Sequence, residues 1–424
     1  DALVAEGLLE PGETARDWGG DPLRVDYGRL YENRFAVLRL AYERALLRPA
    51  RMEGLQAFSL ANGAWLEDYA LFMALKDHYA GRPWTEWPRV LRLREPAALE
   101  AGRAQHAARA GFYRFIQMLF FEQWDALKRY AGSRGVKIIG DLPIYVPLDS
   151  ADVWAAPEQF QLDDNRLPTA VAGVPPDYFS ADGQLWGNPL YDWAHMRQNG
   201  YAWWMRRIMQ ASRLFDTLRI DHFRGLASYW AVPYGAKTAR DGAWLEGPGL
   251  AFVRALKESF PALEIIAEDL GFMTPDVVEL VRASGLPNMK VLQFAFDAGD
   301  ANNNLPHAYE RRCVCYTGTH DNATVLGWYA GASADDRRLA ARYLGLSQTE
   351  GLHWGFIRGG MASVADLFVA QMQDYLGLGD EARMNLPGTV GGNWLWRMEP
   401  DVLRPALAER IAEYTRIFGR LAPA

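Results

Sequence analysis

A parallel α/β barrel carrying helical and loop insertions is the fold class that this sequence predicts, on three observations. Short apolar strands run into acidic residues: Leu218-Arg219-Ile220-Asp221, Leu263-Glu264-Ile265-Ile266-Ala267-Glu268, and Cys313-Val314-Cys315-Tyr316 leading to His320-Asp321. Strand and helix patterns alternate from residue 136 onward, which indicates a parallel sheet. The 424 residues allow two or three domains, and one elaborated α/β barrel, in which residues at the strand ends form the functional rim, fits equally well.

In chain order, residues 1–30 read as a surface segment or the tail of an earlier element, and the Asp1 start suggests that the natural N-terminus is missing. Residues 31–50 carry apolar positions at helical spacing, and Pro49 is expected to close that helix. A second amphipathic helix spans 62–79, a tryptophan-rich turn 84–88, and residues 94–130 read as two helices meeting near Gly111. Residues 1–135 are therefore expected to be a mostly helical subdomain inserted in the barrel, with 136–424 forming the barrel itself. Val136-Lys137-Ile138-Ile139 is a short buried strand with Asp141 just beyond it. Residues 147–195 read as a long functional loop, because loops of that length are otherwise usually disordered and this one is rich in aromatics. Helices follow at 201–213, 249–259, 275–284, 333–350, 362–378 and 401–418, with a strand at 289–296. A second loop, at 385–397, includes the glycine-rich Asn385-Leu386-Pro387-Gly388-Thr389-Val390-Gly391-Gly392-Asn393-Trp394.

Composition narrows the function classes. A net charge of −7 disfavours nucleic acid and anionic membranes as partners. No run of about eighteen apolar residues marks a membrane helix, and no secretory signal is visible. Cys313 and Cys315, two apart on one strand, are poorly placed to bond each other, so a reducing cytoplasm is the default expectation. A lone C-x-C supplies too few ligands for zinc. Asp163-Asp164-Asn165 is the nearest candidate for a cation and reads better as a solvated turn, so no cofactor and no metal are expected. The 16 Trp, 19 Tyr and 19 Phe are an excess, most of it expected in core or interface packing, and flat rings also stack on the apolar faces of sugars.

The acids carry the chemistry. Alternate residues of a strand share a face, so Arg219 and Asp221 point the same way, and a carboxylate beside a guanidinium stays ionised. That suits a nucleophile. Glu268 follows three apolar residues, a setting that raises a glutamate towards the role of general acid. Two carboxylates flanking an acetal are what glycosidic cleavage needs, and a retaining pair lies roughly 5–5.5 Å apart. Asp321 could bridge sugar hydroxyls and help hold a distorted ring. Helix capping and surface ion pairing are the bland alternatives for any one acid, and four acids at four strand ends outweigh them. His222 and His320 adjoin proposed catalytic acids and could donate to sugar hydroxyls. Trp186 and Tyr178, on the long loop, are either sugar platforms or loop packing. The glycines of 388–392 lack the Lys and the following helix of a phosphate loop.

At this point the sequence resembles the amylomaltases, the 4-α-glucanotransferases of glycoside hydrolase family 77. The resemblance rests on Arg219 to Gly225, Ala267 to Gly271, Thr319 to Asn322, Gly140 to Val146, Gly183 to Pro189 and Asn385 to Trp394, with the early helix around Asn62 to Phe72. It implies a retaining enzyme on a (β/α)8 TIM barrel with inserted subdomains, whose N-terminal barrel segment has no counterpart in this sequence, and in which Asp221 forms the glycosyl-enzyme, Glu268 is acid/base and Asp321 stabilises the transition state. Asp141, Arg219 and His320 would line the cleaved glucosyl unit with His222 close by, and Tyr178, Trp186 and Asn393 would contribute from loops. The implied partners are α-1,4-glucans and maltooligosaccharides, with a monomer the default and cyclisation of long glucans a further capacity. An α-amylase-like hydrolase and a catalytically dead glucan-binding protein are the alternatives.

Overall fold

The computed structural model describes residues 2–176, 181–271, 273–296 and 304–421. The chain divides into two compact units, residues 1–16 with 34–285 and residues 17–33 with 286–424. Among the described residues no helix is long and apolar enough to cross a membrane.

In the first unit, helices Pro49–His78 and Ala107–Ser133 pack together. Ala70 and Ala74 lie one turn apart on one face, and their small side chains admit Ala110, Phe112 and Tyr113 of the partner helix. The Tyr113 hydroxyl donates to Asp77 Oδ1 at 2.8 Å and gives the buried phenol its polar partner. Two boundaries differ from the sequence expectation. Pro49 opens a 30-residue helix at N1, where a missing N–H costs nothing, and the preceding helix Tyr27–Ala45 ends before it. The break in the 94–130 region falls at His106, between helices Pro96–Gln105 and Ala107–Ser133. Gly111 stays helical, because the space of its absent side chain is taken by the Tyr42 hydroxyl.

Seven strands follow: β1 (Ile139–Leu142), β2 (Ala170–Val174), β3 (Gln184–Pro189), β4 (Thr217–Ile220), β5 (Ser228–Pro233), β6 (Ala243–Glu246) and β7 (Glu264–Ala267). β1, β4 and β7 form a parallel sheet with β4 central, which explains why all four of its residues are buried. The register sets Asp141 opposite Arg219 and Arg219 opposite Ile266, so Asp141, which lies within β1 and not, as expected, beyond it, and Asp221 and Glu268, which follow β4 and β7, gather at the same end of the sheet. At the opposite edge Thr217 Oγ1 donates to Glu264 Oε2 at 2.8 Å. Gly140 has no alternative within this sheet: a Cβ there would sit 2.1 Å from the Phe215 ring. Gly140→Ala is accordingly expected to lower stability by about 1–3 kcal/mol, measured by chemical denaturation.

The region expected to be a long loop contributes two strands, β2 and β3, to a second sheet. β2, β3, β5 and β6 pair antiparallel in the order β3-β2-β5-β6, with an irregularity between Val171 and Gly173. Its strands are broken by Gly and Pro, and its central pairing joins residues near 172 to residues near 231, a contact no local pattern announces. Asp163 Oδ1 accepts from the backbone N–H of Asn165 and of Leu167, the geometry of an Asx turn.

The second unit contains β8 (Asn288–Val291), β9 (Cys313–Tyr316) and β10 (Leu367–Val369), a parallel sheet in the order β10-β9-β8. Cys313 and Cys315 are buried on the fully buried β9, and neither is in a disulfide. The region expected as helix 362–378 is β10 followed by the short helix Met372–Leu376. Three residues are too few to show a period, and pairing with β9 decides their state. Helix Leu352–Met361 buries Trp354, Ile357 and Met361, against which Leu407, Ile411, Tyr414 and Phe418 pack. The parallel strands thus pair in threes, and no closed ring of eight parallel strands is hydrogen-bonded among the described residues. The class at this level is mixed α/β.

Candidate active site

Within the first unit the sheet edge carries Asp141, Arg219, Asp221 and Glu268. Arg219 Nε and Nη2 donate to the two Asp141 oxygens at 2.7 and 2.6 Å, a bidentate fork between neighbouring strands. The same Nη2 lies 3.7 Å from Asp221 Oδ1. Burial works against the Arg219 charge, but the Asp141 bonds and the charges of Asp141, Asp221 and Glu268 outweigh it and raise its pKa. One guanidinium therefore orients two carboxylates. A lysine cannot reproduce the fork. We expect Arg219→Lys to reduce transfer kcat/KM by about 10²-fold, read from initial rates on maltotriose.

Glu268 is buried at 8% exposure just past β7. Its Oε2 accepts from the His222 backbone N–H and its Oε1 from that of Leu270, each at 2.7 Å. Burial pushes its carboxyl up, repulsion from Asp221 adds to this, and the two N–H bonds and Arg219 oppose it; the balance is about 7. That is the range a group needs to give and recover a proton near neutral pH. Each oxygen keeps a second lone-pair direction free of its N–H bond.

The backbone N–H of His222 reaches Glu268 because His222 adopts a left-handed conformation, φ 48° and ψ 48°. Such a conformation costs a non-glycine residue on the order of 1 kcal/mol. It turns the chain immediately after Asp221, so the nucleophile candidate and the glutamate's donor are fixed by one bend. Burial, and secondarily the charge of Arg224, brings the His222 imidazole down to about 3, so it is neutral at any assay pH. Its ring meets the edge of Trp186 at 4.8 Å between centroids. Trp186 is 37% exposed, and its Nε1 donates to Gln184 Oε1. Tyr178 lies outside the described residues. Tyr145, stacked on Tyr191 and facing Trp186, belongs to this aromatic group and was not singled out from the sequence.

Within the second unit His320 and Asp321 follow β9. Asp321 Oδ1 accepts from Asn385 Nδ2 at 2.6 Å, and the Asp321 carbonyl accepts from Arg383 Nη2 at 2.7 Å. His320 Nε2 is 3.5 Å from Asp321 Oδ2, and its ring lies 5.1 Å from that of Trp394. Asn393 is used inside its own loop: its Oδ1 accepts from the Leu386 N–H, and its Nδ2 donates to Thr389. Asn385, eight residues earlier in the same motif, is the amide that touches the acid. Its place opening the glycine-rich loop was the available signal. Among the described residues no group of three or more His, Cys, Asp or Glu could hold a metal ion.

A buried glutamate with a raised pKa beside an aspartate–arginine pair, at a parallel sheet edge with the exposed Trp186, fits a class of enzymes that act on glycosidic bonds. The chain belongs to glycoside hydrolase family 77, described as 4-alpha-glucanotransferase, whose pattern matches residues 1–403. It is 47% identical to a 4-alpha-glucanotransferase of Thermus thermophilus over 98% of this chain and 85% of the relative. A Streptococcus pneumoniae 4-alpha-glucanotransferase is 45% identical over 99% and 84%. Among solved structures, an amylomaltase from Streptococcus agalactiae in complex with acarbose superposes with a TM-score of 0.96 at 37% identity, covering 100% of this chain and 86% of that one. A Corynebacterium glutamicum amylomaltase, at 20% identity and a TM-score of 0.74 over 99% and 63%, shares the fold. The chain is a 4-alpha-glucan-transferring enzyme.

Proposed function

We propose that transfer proceeds by retaining double displacement with Asp221 as nucleophile and Glu268 as acid/base. The observation that carries this reading is Glu268 itself, poised near neutrality beside Asp221. Protonated Glu268 gives its proton to the glycosidic oxygen as Asp221 attacks the anomeric carbon, so the C–O bond breaks and a glycosyl ester on Asp221 forms. Glu268, now a carboxylate, takes the proton of an acceptor 4-hydroxyl, which displaces Asp221 and restores the α configuration. Asp141 and Arg219 would hold hydroxyls of the cleaved glucosyl unit, and neutral His222 would donate to one of them. His320 would donate to a sugar hydroxyl. Asp321 would strengthen its bonds as the ring flattens. Trp186 would supply an apolar face for a sugar, and by family resemblance Tyr178 of the same long loop would bind substrate as well. Asn393 would order the second loop through its internal bonds. The substrates would be α-1,4-glucans and maltooligosaccharides, on a monomeric (β/α)8 barrel in a reducing, cytoplasmic setting that suits the buried thiols.

Maltotriose, followed for sugar sizes and total reducing ends together, tests the reading. Glucose and longer oligomers at constant reducing ends are expected. Steadily rising reducing ends would replace transfer with hydrolysis, and unaltered maltotriose that still binds would leave only a binding protein.

A further inference from the structure

We propose that Asp374 is a positioning residue for the transfer reaction, clamping both ends of the loop that carries His320 and Asp321. That loop leaves β9 at Thr317 and enters helix Val325–Gly331 at Val325. One side chain reaches both places: Asp374 Oδ2 accepts from Thr317 Oγ1 at 2.6 Å, and Oδ1 accepts from the Val325 N–H at 2.7 Å. Asp374 is 1% exposed and projects from the short helix Met372–Leu376.

A plain capping role does not account for it. The helix already has its cap, since Thr324 Oγ1 accepts from the Gly327 N–H, and Asp380 Oδ1 accepts from the Thr324 N–H. The two bonds of Asp374 come from neutral donors, a hydroxyl and an amide, and a buried carboxylate without a cation is costly. Burial pushes its carboxyl up to about 6 against the pull of those two bonds. A fold that needed only a spacer there would be served by an uncharged residue. What the carboxylate adds is two short charge-assisted bonds at once.

The loop is stiff enough to pass this constraint on to Asp321. Thr319 donates through both N and Oγ1 to Asn322 Oδ1, at 2.8 and 2.9 Å, and the Asp321 N–H reaches Thr319 Oγ1. The Ala323 carbonyl accepts from Gln293 Nε2 at 2.8 Å. Gln293, Arg383 and Asn385 hold the loop from outside along its length, and the points where it leaves β9 and enters the helix are the two that Asp374 holds.

The inference rests on the reading that Asp321 acts on the transition state, and the test separates the two. Asp374→Asn and Thr317→Val are each made in the wild type and in Asp321→Asn, and kcat and KM for maltotriose are measured well below each variant's unfolding temperature. Asp374→Asn is expected to lower kcat by about 30-fold with KM within about twofold, because misplacement by a fraction of an ångström acts on the transition state. Thr317→Val, which keeps the carboxylate and removes one arm, should lower kcat in the same sense by about fivefold, and it carries the test should Asp374→Asn fail to fold. In the Asp321→Asn background each should add less than about threefold. Near-wild-type kcat in both variants, or undiminished losses in the Asp321→Asn background, would overturn the role of Asp374. Near-wild-type kcat in Asp321→Asn alone would instead overturn the reading of Asp321.

Discussion

Asp221→Asn lowers maltotriose disproportionation by about 10⁴-fold or more, the scale on which removal of a covalent nucleophile is felt. The amide is close to isosteric, so Arg219 keeps its fork to Asp141 and the sheet edge is preserved. Maltotriose affinity should therefore stay within about threefold of the wild type, because binding the ground state does not use the nucleophile's charge. Titration calorimetry with the variant, alongside turnover followed by chromatography, measures both quantities. Wild-type turnover in the variant would refute the assignment. Loss of binding together with turnover would place Asp221 among the groups that hold the substrate.

Glu268→Gln has the second largest expected effect, and it reads differently. A glutamine neither gives nor takes a proton, so kcat on maltotriose should fall by about 10³-fold, within the usual range for a lost general acid–base group. A donor whose leaving group needs no proton should recover the first step only. In the wild type, transfer should decline as pH rises through about 7, where the buried carboxyl loses the proton that the first step consumes. The same shift links to stability. The folded-state pKa is raised from 4.5 to about 7, so this group's favourable contribution is fully present below about 4.5 and is lost as pH rises through about 7. Glu268→Gln removes the penalty of ionising a buried carboxyl and should stabilise the fold at pH 8 by on the order of 3 kcal/mol, with no gain below pH 4.5. Denaturation curves of the two proteins at pH 4 and pH 8 check the sign. A variant that is less stable at pH 8 would show that the His222 and Leu270 N–H groups need the carboxylate more than burial disfavours it.

Much of the first unit's site is legible in the sequence, because strand alternation and polar strand ends are local properties. Arg219 and Asp221 sit two apart on and just beyond β4, and Glu268 is one residue past β7, so their common edge follows from the parallel register. What the sequence does not display is the role of the backbone. The N–H groups of His222 and Leu270 that hold Glu268 carry no residue code, and the left-handed bend at His222 is imposed by its neighbours. The antiparallel sheet of β2, β3, β5 and β6 was hidden for a related reason. Each strand is short or interrupted, and the central pairing joins residues 170–173 to residues 230–233, far along the chain. Asn385 shows a further limit: a motif marks a loop as functional without saying which of its two asparagines reaches the acid.

The most direct test of the central claim is to trap the intermediate. Glu268→Gln enzyme incubated with an α-maltosyl fluoride, then quenched in acid, is analysed by intact mass and by peptide mapping. Fluoride leaves without a proton donor, and the missing base slows the second displacement. A mass gain of one maltosyl unit, localised to the peptide carrying Asp221, is the predicted result. Fluoride release with no adduct, or an adduct on any other residue, would contradict double displacement through Asp221.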